Sequence, residues 1–368
     1  MTAVSPTKLA PLRTGHARVL LISGVNISRP VDRSDLSHPL PDYAALLDAL
    51  RPDVIDISNV QAAARPVVGR AVSPQWAVAL AALRRAKHYQ AVLATGEDVG
   101  LPLALLFKIF RQRTPLLLTC HNIATRRPAF FLKYLRAGTA VNTFQCLSRT
   151  QADMLMQYAG IREAQIQLLL CQVDHRFFFP RPDVPVRNQI CSAGMASRDY
   201  ATLVAAAQDL DVDVKIAADS PWFHQALNIS LDELPPRVEA RSYQTYAALR
   251  QLYAESRLVV VPLLDVRFSA GYTVILEAMA MGKAVIVSRI TQRDDFIVDG
   301  WNGIYVTPSN VSELGERLRD LLARPDEIER LGANARQTVE DHYTLGHFVE
   351  RMRAGIAHAT GVSPAGFN

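Results

Sequence analysis

"RLVVVPLLDVRFSAGYTVILEAMAMGKAVIVSR", residues 257–289, contains two short apolar runs separated by a helix-like segment. The runs RLVVVPLL and KAVIVSR are continuously apolar rather than alternating, which is typical of strands that are buried on both faces of a parallel sheet. The segment TVILEAMAMG between them predicts the crossover helix that joins two parallel strands. This stretch therefore predicts one β-α-β unit of an α/β fold.

The same alternation of strand-like and helix-like segments extends along the chain in both directions. Six β-rich runs precede the Pro-containing segment 174–189, which we interpret as a linker, and six follow it. The runs are 17–25, 53–58, 90–96, 114–122, 140–148 and 165–173, then 190–195, 213–218, 237–242, 257–264, 283–289 and 303–308. We expect two doubly wound, Rossmann-like domains that face a central cleft, because open parallel sheets bind ligands beyond the carboxyl ends of their strands. The predicted domains are 1–180, with 346–368 packing back on it, and 181–345.

Length and composition agree with this organisation. The chain has 368 residues, of which 49% are hydrophobic and 20% charged, as expected for a globular protein with two sizeable cores. The N-terminus lacks the pattern of a secretory signal, and no apolar run is long enough for a membrane span. The four cysteines have no metal-like spacing and lie in apolar contexts, so we expect buried, reduced thiols and a cytoplasmic location.

The charge is unevenly distributed between the two predicted domains. Residues 1–180 carry 21 Lys and Arg against 11 Asp and Glu, and the remainder carries 19 against 24, so the formal charges are +10 and −5. Two explanations of this asymmetry are open: solvated surface charge, or an anionic surface or acceptor that meets the N-terminal half.

The loop and helix in residues 265–282 suggest an anion site. A helix that begins near Gly271 to Thr273 presents backbone N–H groups and the positive end of its dipole to a phosphate, and Gly271 allows close approach. Glu277 follows one turn later, where its carboxylate is placed to accept hydrogen bonds from sugar hydroxyl groups. A solvated Glu on an exposed helix face is the alternative at this position.

Residues 269–306 resemble the donor-binding region of retaining GT-B glycosyltransferases of the large family four, the glycosyl transferases group 1. Those enzymes commonly carry an E-x7-E pattern ending in LEAMA-x-G, then a strand and a DG-x-NG turn, which match Leu276–Ala280, Gly282 and 299–303 here. The segments SAGMASRDYATLVAAA (192–207), QLLLCQVDHRFFFP (167–180) and LLLTCHN (116–122) resemble further family segments in the same order. The resemblance covers about the whole chain and is strongest after residue 165.

This resemblance implies a set of donor-binding residues: Ser269, Ala270, Gly271, Tyr272, Thr273, Glu277, Arg267 and Lys283. Two positions depart from the family pattern. Ser269 stands where the first glutamate of the pair is expected, and Met195 stands where an Arg commonly holds the diphosphate. Arg198 is the counterpart of the family's Lys, and Arg267 or Lys283 would supply the missing cation unless they are surface charges.

The resemblance also implies roles for residues in the first half. His121 ends an apolar strand and is expected to contact the transferred sugar, so that His121 and Arg198 are the predicted catalytic residues; a structural His is the alternative. Glu97, Asp98 and Asn122 are expected to contact the acceptor, although the two acids also suit the cap of the following helix. In the implied mechanism, the leaving diphosphate assists deprotonation of the acceptor, and the protein neutralises charge and orients both substrates.

Two other motifs bear on partners. The aromatic and basic segment 126–138 fits a helix on an anionic membrane surface that receives a lipid-linked acceptor, and it also fits a helix packed on the sheet with a solvated basic rim. Asp211 and Asp213 form a D-x-D pair without a second ligand cluster, so we expect solvated acids, no obligatory metal and no cofactor beyond the donor substrate. No nucleic-acid-reading module accompanies the cations.

The sequence thus predicts a retaining glycosyltransferase that moves a sugar from a nucleotide sugar to a sugar- or lipid-linked acceptor, in the cytoplasm or peripherally at the inner membrane face. Glycolipid or polysaccharide assembly is the context that the resemblance implies. An epimerase or phosphorylase of the same architecture is one alternative. A catalytically silent GT-B-like subunit that binds a nucleotide sugar or a partner is another, which Ser269 and Met195 favour.

Overall fold

The structure is a computed structural model that describes residues 19–29, 31–32, 35, 37–60, 73–121, 123, 126–218, 234–266, 268–291 and 295–363. The chain forms two compact units. The N-terminal unit comprises Met1–Asp32, Tyr43–Leu170 and Phe348–Asn368, and the C-terminal unit comprises Arg33–Asp42 and Cys171–His347. Each unit is an α/β fold around one parallel sheet, so the predicted fold class is confirmed.

The N-terminal unit contains a six-stranded parallel sheet in the order β2-β1-β3-β4-β5-β6. Its strands are β1 (Val19–Ser23), β2 (Asp53–Asp56), β3 (Ala91–Ala94), β4 (Leu116–Cys120), β5 (Thr143–Cys146) and β6 (Ile166–Leu168). Its helices are α1 (Asp42–Leu50), α2 (Ile57–Val60), α3 (Pro74–Ala86), α4 (Glu97–Phe110), α5 (Arg126–Lys133), α6 (Arg149–Ala159) and α12 (Leu345–Thr360). All six predicted strands form, because continuous apolar runs satisfy both faces of a sheet that is covered by helices.

The last helix, α12, packs on one face of the N-terminal sheet. Phe348, Met352 and Ile356 are buried in one apolar cluster with residues of β1, β3 and β4. Gly355 approaches the sheet so closely that a Cβ at this position would lie 2.1 Å from Oε1 of Gln167. The C-terminal end of the chain therefore completes the core of the unit that the beginning of the chain starts.

The C-terminal unit contains a second six-stranded parallel sheet, in the order β12-β11-β10-β7-β8-β9. Its strands are β7 (Gln189–Ala193), β8 (Asp213–Ala217), β9 (Val238–Arg241), β10 (Leu258–Val261), β11 (Ala284–Ser288) and β12 (Ile304–Val306). Its helices are α7 (Tyr200–Ala207), α8 (Tyr246–Glu255), α9 (Tyr272–Ala280), α10 (Val311–Leu322) and α11 (Pro325–His342). Residues 257–289 form β10, α9 and β11, as their pattern predicts.

The strand order fixes where each unit can bind a ligand. In the C-terminal sheet the order reverses between β7 and β10, and in the N-terminal sheet it reverses between β1 and β3. The loops that follow the two strands at such a point diverge to opposite faces of the sheet, which opens a crevice at their carboxyl ends. We therefore expect binding residues after β7 and β10 in one unit, and after β1 and β3 in the other.

Candidate functional site

Arg198 lies in the loop between β7 and α7, with only 6% of the residue exposed. Its Nε donates to the carbonyl oxygen of Ala193 at 2.8 Å, and its Nη1 donates to that of Ala196 at 2.9 Å. Burial lowers the pKa of Arg198, and the nearby Glu277 opposes that effect. A guanidinium stays charged in proteins, so the loop holds a fixed positive charge at the carboxyl end of the sheet.

The backbone of this loop is shaped around the guanidinium. Gly194 has a φ of +90°, and a Cβ added there would lie 2.6 Å from Nη2 of Arg198. The hydroxyl of Tyr200 donates to the carbonyl oxygen of Gly194, which ties the loop to the first residue of α7. Glycine is required at residue 194 both for its backbone conformation and for the space that the arginine occupies.

The start of α9 provides a second positive element. Gly271, with a φ of +82°, precedes the helix, and no side chain of the described residues caps this end. A Cβ at residue 271 would lie 3.0 Å from Cγ1 of Val261 and 3.3 Å from Leu263. Arg198 forms a β-bridge with the same Leu263, so the guanidinium loop and the amide groups of the first turn of α9 are neighbours. Together they suit a diphosphate.

Glu277 is buried on α9, with 4% of the residue exposed, so the alternative of a solvated surface Glu is wrong. Its Oε2 accepts a hydrogen bond of 3.0 Å from the hydroxyl of Tyr253 on α8. Burial raises the pKa of Glu277 to about 8, while the Tyr253 hydrogen bond and the charge of Arg198 act in the opposite direction. A buried carboxyl without an ion pair among the described residues is costly for stability, which is typical of a group kept for binding or catalysis.

The loop before α9 places the other predicted donor residues. Ser269 Oγ is buried and has no hydrogen-bond partner among the described residues. Ala270 is buried, Tyr272 packs its ring edge-on against Phe296 at 5.2 Å, and Thr273 is exposed. Ser269 therefore offers an unsatisfied polar atom next to the start of α9, whereas Tyr272 mainly anchors that start.

In the structure, the contacts of Lys283 differ from its predicted role as a cation for the donor. Its Nζ donates to the carbonyl oxygens of Ala254 and Ser256, both at 2.8 Å, so it satisfies the end of α8. Burial lowers the pKa of Lys283. Because the ammonium is bound to two backbone acceptors, Lys283 acts as a structural cation, and Arg198 provides the positive charge near Glu277. Arg267, the other predicted cation, lies outside the described residues.

In the N-terminal unit, His121 follows β4 and is exposed. Its backbone N–H donates to Oε1 of Glu97 at 2.7 Å, and its Nε2 lies 2.9 Å from the carbonyl oxygen of Thr95. Since a carbonyl oxygen only accepts, Nε2 carries a proton in this arrangement and Nδ1 is oriented away from this bond. The loops after β3 and β4 are thus linked, with an imidazole at the carboxyl end of the sheet.

Glu97 and Asp98 form the first turn of α4, directly after the strand at which the order of the N-terminal sheet reverses. Desolvation raises the pKa of Asp98, while the backbone N–H groups of Val99 and Asp98 lower it, as expected for an acid at a helix start. A Cβ at Gly24 would lie 1.7 Å from Oδ2 of Asp98, so the carboxylate covers the end of β1. Asn122 lies outside the described residues.

The structure brings the predicted site residues together in two groups. Arg198, the start of α9 and Glu277 meet in the C-terminal unit, and His121, Glu97 and Asp98 meet in the N-terminal unit. Tyr253 is the site residue that sequence reasoning missed. It lies 24 residues before Glu277 in a helix whose pattern predicts an ordinary core position, and no local signal identifies its partner.

A further surface lies at the ends of α4 and α5. Four large apolar side chains are exposed there: Ile109 (60%), Phe110 (64%), Phe130 (51%) and Tyr134 (70%). Exposed cations surround them: Lys108, Arg111, Lys133 and Arg136. Nζ of Lys108 donates to the carbonyl oxygen of Leu135 at 2.8 Å, so the two helix ends are adjacent. We refer to these eight residues as the apolar-basic surface.

The described residues contain neither a membrane-spanning helix nor a metal-binding cluster. None of the helices there has the length and apolarity that a bilayer crossing requires.

Asp211 and Asp213 both approach Arg237, with closest distances of 2.5 and 3.5 Å. Within the described ranges, no group of three or more His, Cys, Asp and Glu side chains is arranged to hold a metal ion.

Comparison with protein families finds a similarity that lies within the C-terminal unit. The family model for glycosyl transferases group 1 matches residues 195–324, which include Arg198, the start of α9 and Glu277. The resemblance to this family that the sequence indicates is therefore confirmed over these residues.

Curated relatives match at low identity. The chain is 28% identical over 202 residues to an MMP α-(1→4)-mannosyltransferase of Mycolicibacterium hassiacum, which covers 52% of this chain and 47% of the relative. It is 23% identical over 136 residues to an uncharacterized glycosyltransferase of Methanocaldococcus jannaschii, covering 37% and 38%. These matches span less than half the length of the two relatives.

Solved structures match over nearly the whole chain. Anabaena HepE in complex with UDP-glucose has a TM-score of 0.70 at 16% identity, covering 93% of this chain and all of that one. A sucrose-phosphate synthase of Thermosynechococcus elongatus has a TM-score of 0.67 at 17% identity, covering 94% and 100%. At these identities the likeness shows the fold, which is GT-B.

Proposed function

We propose that this chain, which matches the group 1 glycosyl transferases through residues 195–324 and has the GT-B fold, is a glycosyltransferase that uses a nucleotide-sugar donor. One observation carries the proposal. A buried guanidinium, Arg198, and a buried carboxyl, Glu277, meet beside the start of α9, which no described side chain caps, at the reversal point of the C-terminal sheet. Their chemistry matches the two polar parts of a nucleoside diphosphate.

Each element of this group has a defined partner in the proposal. The diphosphate binds the amide groups at Gly271–Thr273 and the guanidinium of Arg198, because both favour negative charge. The ribose hydroxyl groups donate to the carboxylate of Glu277. When the sugar departs, negative charge develops on the diphosphate, and a preorganised cation and helix terminus stabilise that charge more than they stabilise the ground state.

The finer features of the reaction are part of the same proposal. Transfer proceeds with retention at the anomeric carbon, a leaving diphosphate oxygen accepts the acceptor's proton, and His121 contacts the transferred sugar. We assign the acceptor to the N-terminal unit, where Glu97 and Asp98 supply hydrogen-bond acceptors. Because Arg198 and the start of α9 already supply positive charge to the diphosphate, the reaction is expected to need no metal, and chelation with EDTA should leave its rate unchanged.

We also propose that the acceptor is a glycolipid or a polysaccharide precursor and that the protein reaches it at an anionic membrane surface. The support is the apolar-basic surface. Its aromatic and aliphatic side chains suit the boundary between headgroups and acyl chains, and its cations suit anionic lipid.

A second candidate function rests on Ser269. In this chain a serine, whose buried hydroxyl has no hydrogen-bond partner among the described residues, replaces the acid that the family pattern places in this loop. A GT-B-like subunit that binds a nucleotide sugar or a partner without transferring the sugar is compatible with that loss. Slow hydrolysis of the bound donor distinguishes an enzyme from such a binder.

A thermal-shift panel of UDP-, GDP-, ADP- and TDP-sugars tests the proposal, since a ligand that binds only the folded state stabilises it by about 2.7 kcal/mol at 100 times its Kd. We expect one nucleotide class to raise Tm. Glu277→Gln should lose that increase, and the control Glu239→Gln, which alters an acid paired with Lys215 at the sheet edge, should keep it. No shift with any nucleotide would contradict the donor assignment. Donor hydrolysis, measured with the nucleotide that binds, then decides between enzyme and binder.

A further inference from the structure

Among the described residues, Tyr253 is the side chain that donates a hydrogen bond to the carboxyl of Glu277. Tyr253 is completely buried on α8, and its hydroxyl donates to Oε2 at 3.0 Å. Arg198 influences Glu277 through its charge, but its hydrogen bonds go to the carbonyl oxygens of Ala193 and Ala196. The orientation of the Glu277 carboxyl is therefore set by a neutral donor.

The orientation of this carboxyl matters for a diol ligand. The terminal torsion of a Glu side chain is broad, so an unrestrained carboxylate rotates and presents its lone pairs in many directions. Two adjacent hydroxyl groups are best accepted by two oxygens in a fixed plane, and fixing that plane before binding removes an entropic cost. One hydrogen bond to Oε2 restrains the plane and leaves further acceptor sites on both oxygens.

We propose that Tyr253 is a positioning residue for the donor: its hydroxyl fixes the carboxyl plane of Glu277 so that both oxygens accept the two ribose hydroxyl groups of the nucleotide. This inference rests on the proposed function and adds to it a residue that does not itself touch the ligand.

The protonation of Glu277 gives this role a measurable signature. The titratable and charged groups that face it are Tyr253 and Tyr246 from α8 and Arg198 from the loop after β7, and Cys191 of β7 faces Tyr253. Burial holds the pKa of Tyr253 well above its ordinary value, so its hydroxyl remains a hydrogen-bond donor over the pH range in which binding is measured. Its hydrogen bond lowers the pKa of Glu277 against the effect of burial, which keeps more of the carboxyl ionised near neutral pH.

The test compares Tyr253→Phe with Tyr89→Phe, a matched control in the other unit. Tyr89 is also buried, and its hydroxyl donates to a carboxylate, Oδ2 of Asp53, at 2.9 Å. Binding of UDP, GDP and ADP is measured by calorimetry from pH 6.5 to 9, with Glu277→Gln and the double variant Tyr253→Phe/Glu277→Gln in parallel. A hydrogen bond to a charged group commonly accounts for about tenfold or more in an equilibrium constant.

We expect Tyr253→Phe to weaken nucleotide binding about tenfold at pH 7, with a smaller loss at pH 9, because a larger fraction of Glu277 is then ionised in both proteins. Tyr89→Phe should bind as the wild type does. The double variant should bind no more weakly than Glu277→Gln alone, because Tyr253 acts through Glu277. A purely structural tyrosine would instead weaken binding equally at every pH and in both backgrounds.

A titration without ligand gives an independent measurement. The carboxyl carbon of Glu277, followed by ¹³C NMR and assigned with Glu277→Gln, should titrate near pH 8 in the wild type and at higher pH in Tyr253→Phe. If the wild type binds nucleotide, and Tyr253→Phe shows the same affinity and the same titration of Glu277, this inference is wrong and the proposed function stands. A wild type that binds no nucleotide would overturn the proposed function and this inference together.

Discussion

The guanidinium of Arg198 occupies the space that a side chain at residue 194 would need, since a Cβ on Gly194 would lie 2.6 Å from Nη2. The two residues are four positions apart in one loop, and the loop conformation that brings them together requires a positive φ at the glycine. The position of the Arg198 guanidinium therefore depends on a residue without a side chain, Gly194.

This relationship predicts the effect of Gly194→Ala. The methyl group must displace the guanidinium, and an alanine at a φ of +90° is strained, so we expect affinity for the donor nucleotide to fall at least tenfold with a stability loss of about 1–2 kcal/mol. Calorimetric binding and urea unfolding measure the two effects. As a control, Gly300→Ala is strained in the same way at a φ of +76° but meets no atom within 4 Å, so it should retain affinity. Equal affinity losses in both variants would contradict a specific role for Gly194.

Arg198 and Glu277 should recognise different parts of the nucleotide. Arg198→Ala is expected to reduce affinity for a nucleoside diphosphate about 100-fold, because a charged hydrogen bond to phosphate is lost, and to leave the weak affinity for the nucleoside unchanged. Glu277→Gln should reduce affinity for both ligands. Competition binding with the diphosphate and the nucleoside measures the difference. An equal loss for both ligands in Arg198→Ala would contradict the assignment of Arg198 to the diphosphate.

Glu277 should make stability depend on pH in a defined direction. Its pKa is about 8 in the folded protein and about 4.3 in an unfolded chain, so between these values the folded state binds more protons and stability falls as pH rises. The free energy of unfolding should decrease by up to about 1.4 kcal/mol per pH unit from this group. Glu277→Gln should remove that slope and be more stable than the wild type near pH 8.

Denaturant unfolding between pH 5 and 8.5 checks this expectation. A variant that is more stable but no longer binds nucleotide is the pattern expected when a residue is kept for function at a cost in stability. A wild-type slope that persists in Glu277→Gln would show that another group titrates.

Lys283 should contribute to stability and not to donor recognition. Its ammonium satisfies two carbonyl oxygens at the end of α8, so Lys283→Met leaves them without this donor and should destabilise the C-terminal unit by about 1–3 kcal/mol. Nucleotide affinity, measured where the variant is fully folded, should change less than threefold. A large loss of affinity at unchanged stability would instead restore Lys283 as a ligand for the donor.

The apolar-basic surface should bind anionic vesicles. Phe110→Ser combined with Tyr134→Ser removes two exposed aromatic groups and should reduce co-sedimentation with phosphatidylglycerol vesicles several-fold at low salt, with little effect on stability. The double variant Val298→Ser/Trp301→Ser removes exposed apolar groups of the C-terminal unit and serves as the control. Added salt should weaken wild-type binding, because the basic side chains act through screened charge. Equal co-sedimentation of all three proteins would contradict the proposed surface.

The order and type of the helices and strands follow from the amino-acid pattern, and so do the places of Arg198 and Glu277 in their local segments. The continuous apolar runs of β10 and β11 have few alternatives to a buried parallel sheet, and the crossover helix between them follows from the same pattern. Arg198 and Glu277 are recognisable in the sequence because each lies in a local motif: Arg198 in the loop after β7 and Glu277 in LEAMA-x-G. Both have their local structure fixed by residues only a few positions away.

The contacts and the ionisation of those side chains depend on tertiary packing. Tyr253 meets Glu277 across two helices, and Lys283 meets the end of α8 instead of a ligand, because partners of this kind are set by the packing of segments that are distant in the sequence. The raised pKa of Glu277 likewise comes from the combined burial by many neighbours. Local patterns encode elements and backbone conformations, whereas burial and pairing are collective properties of the packed chain.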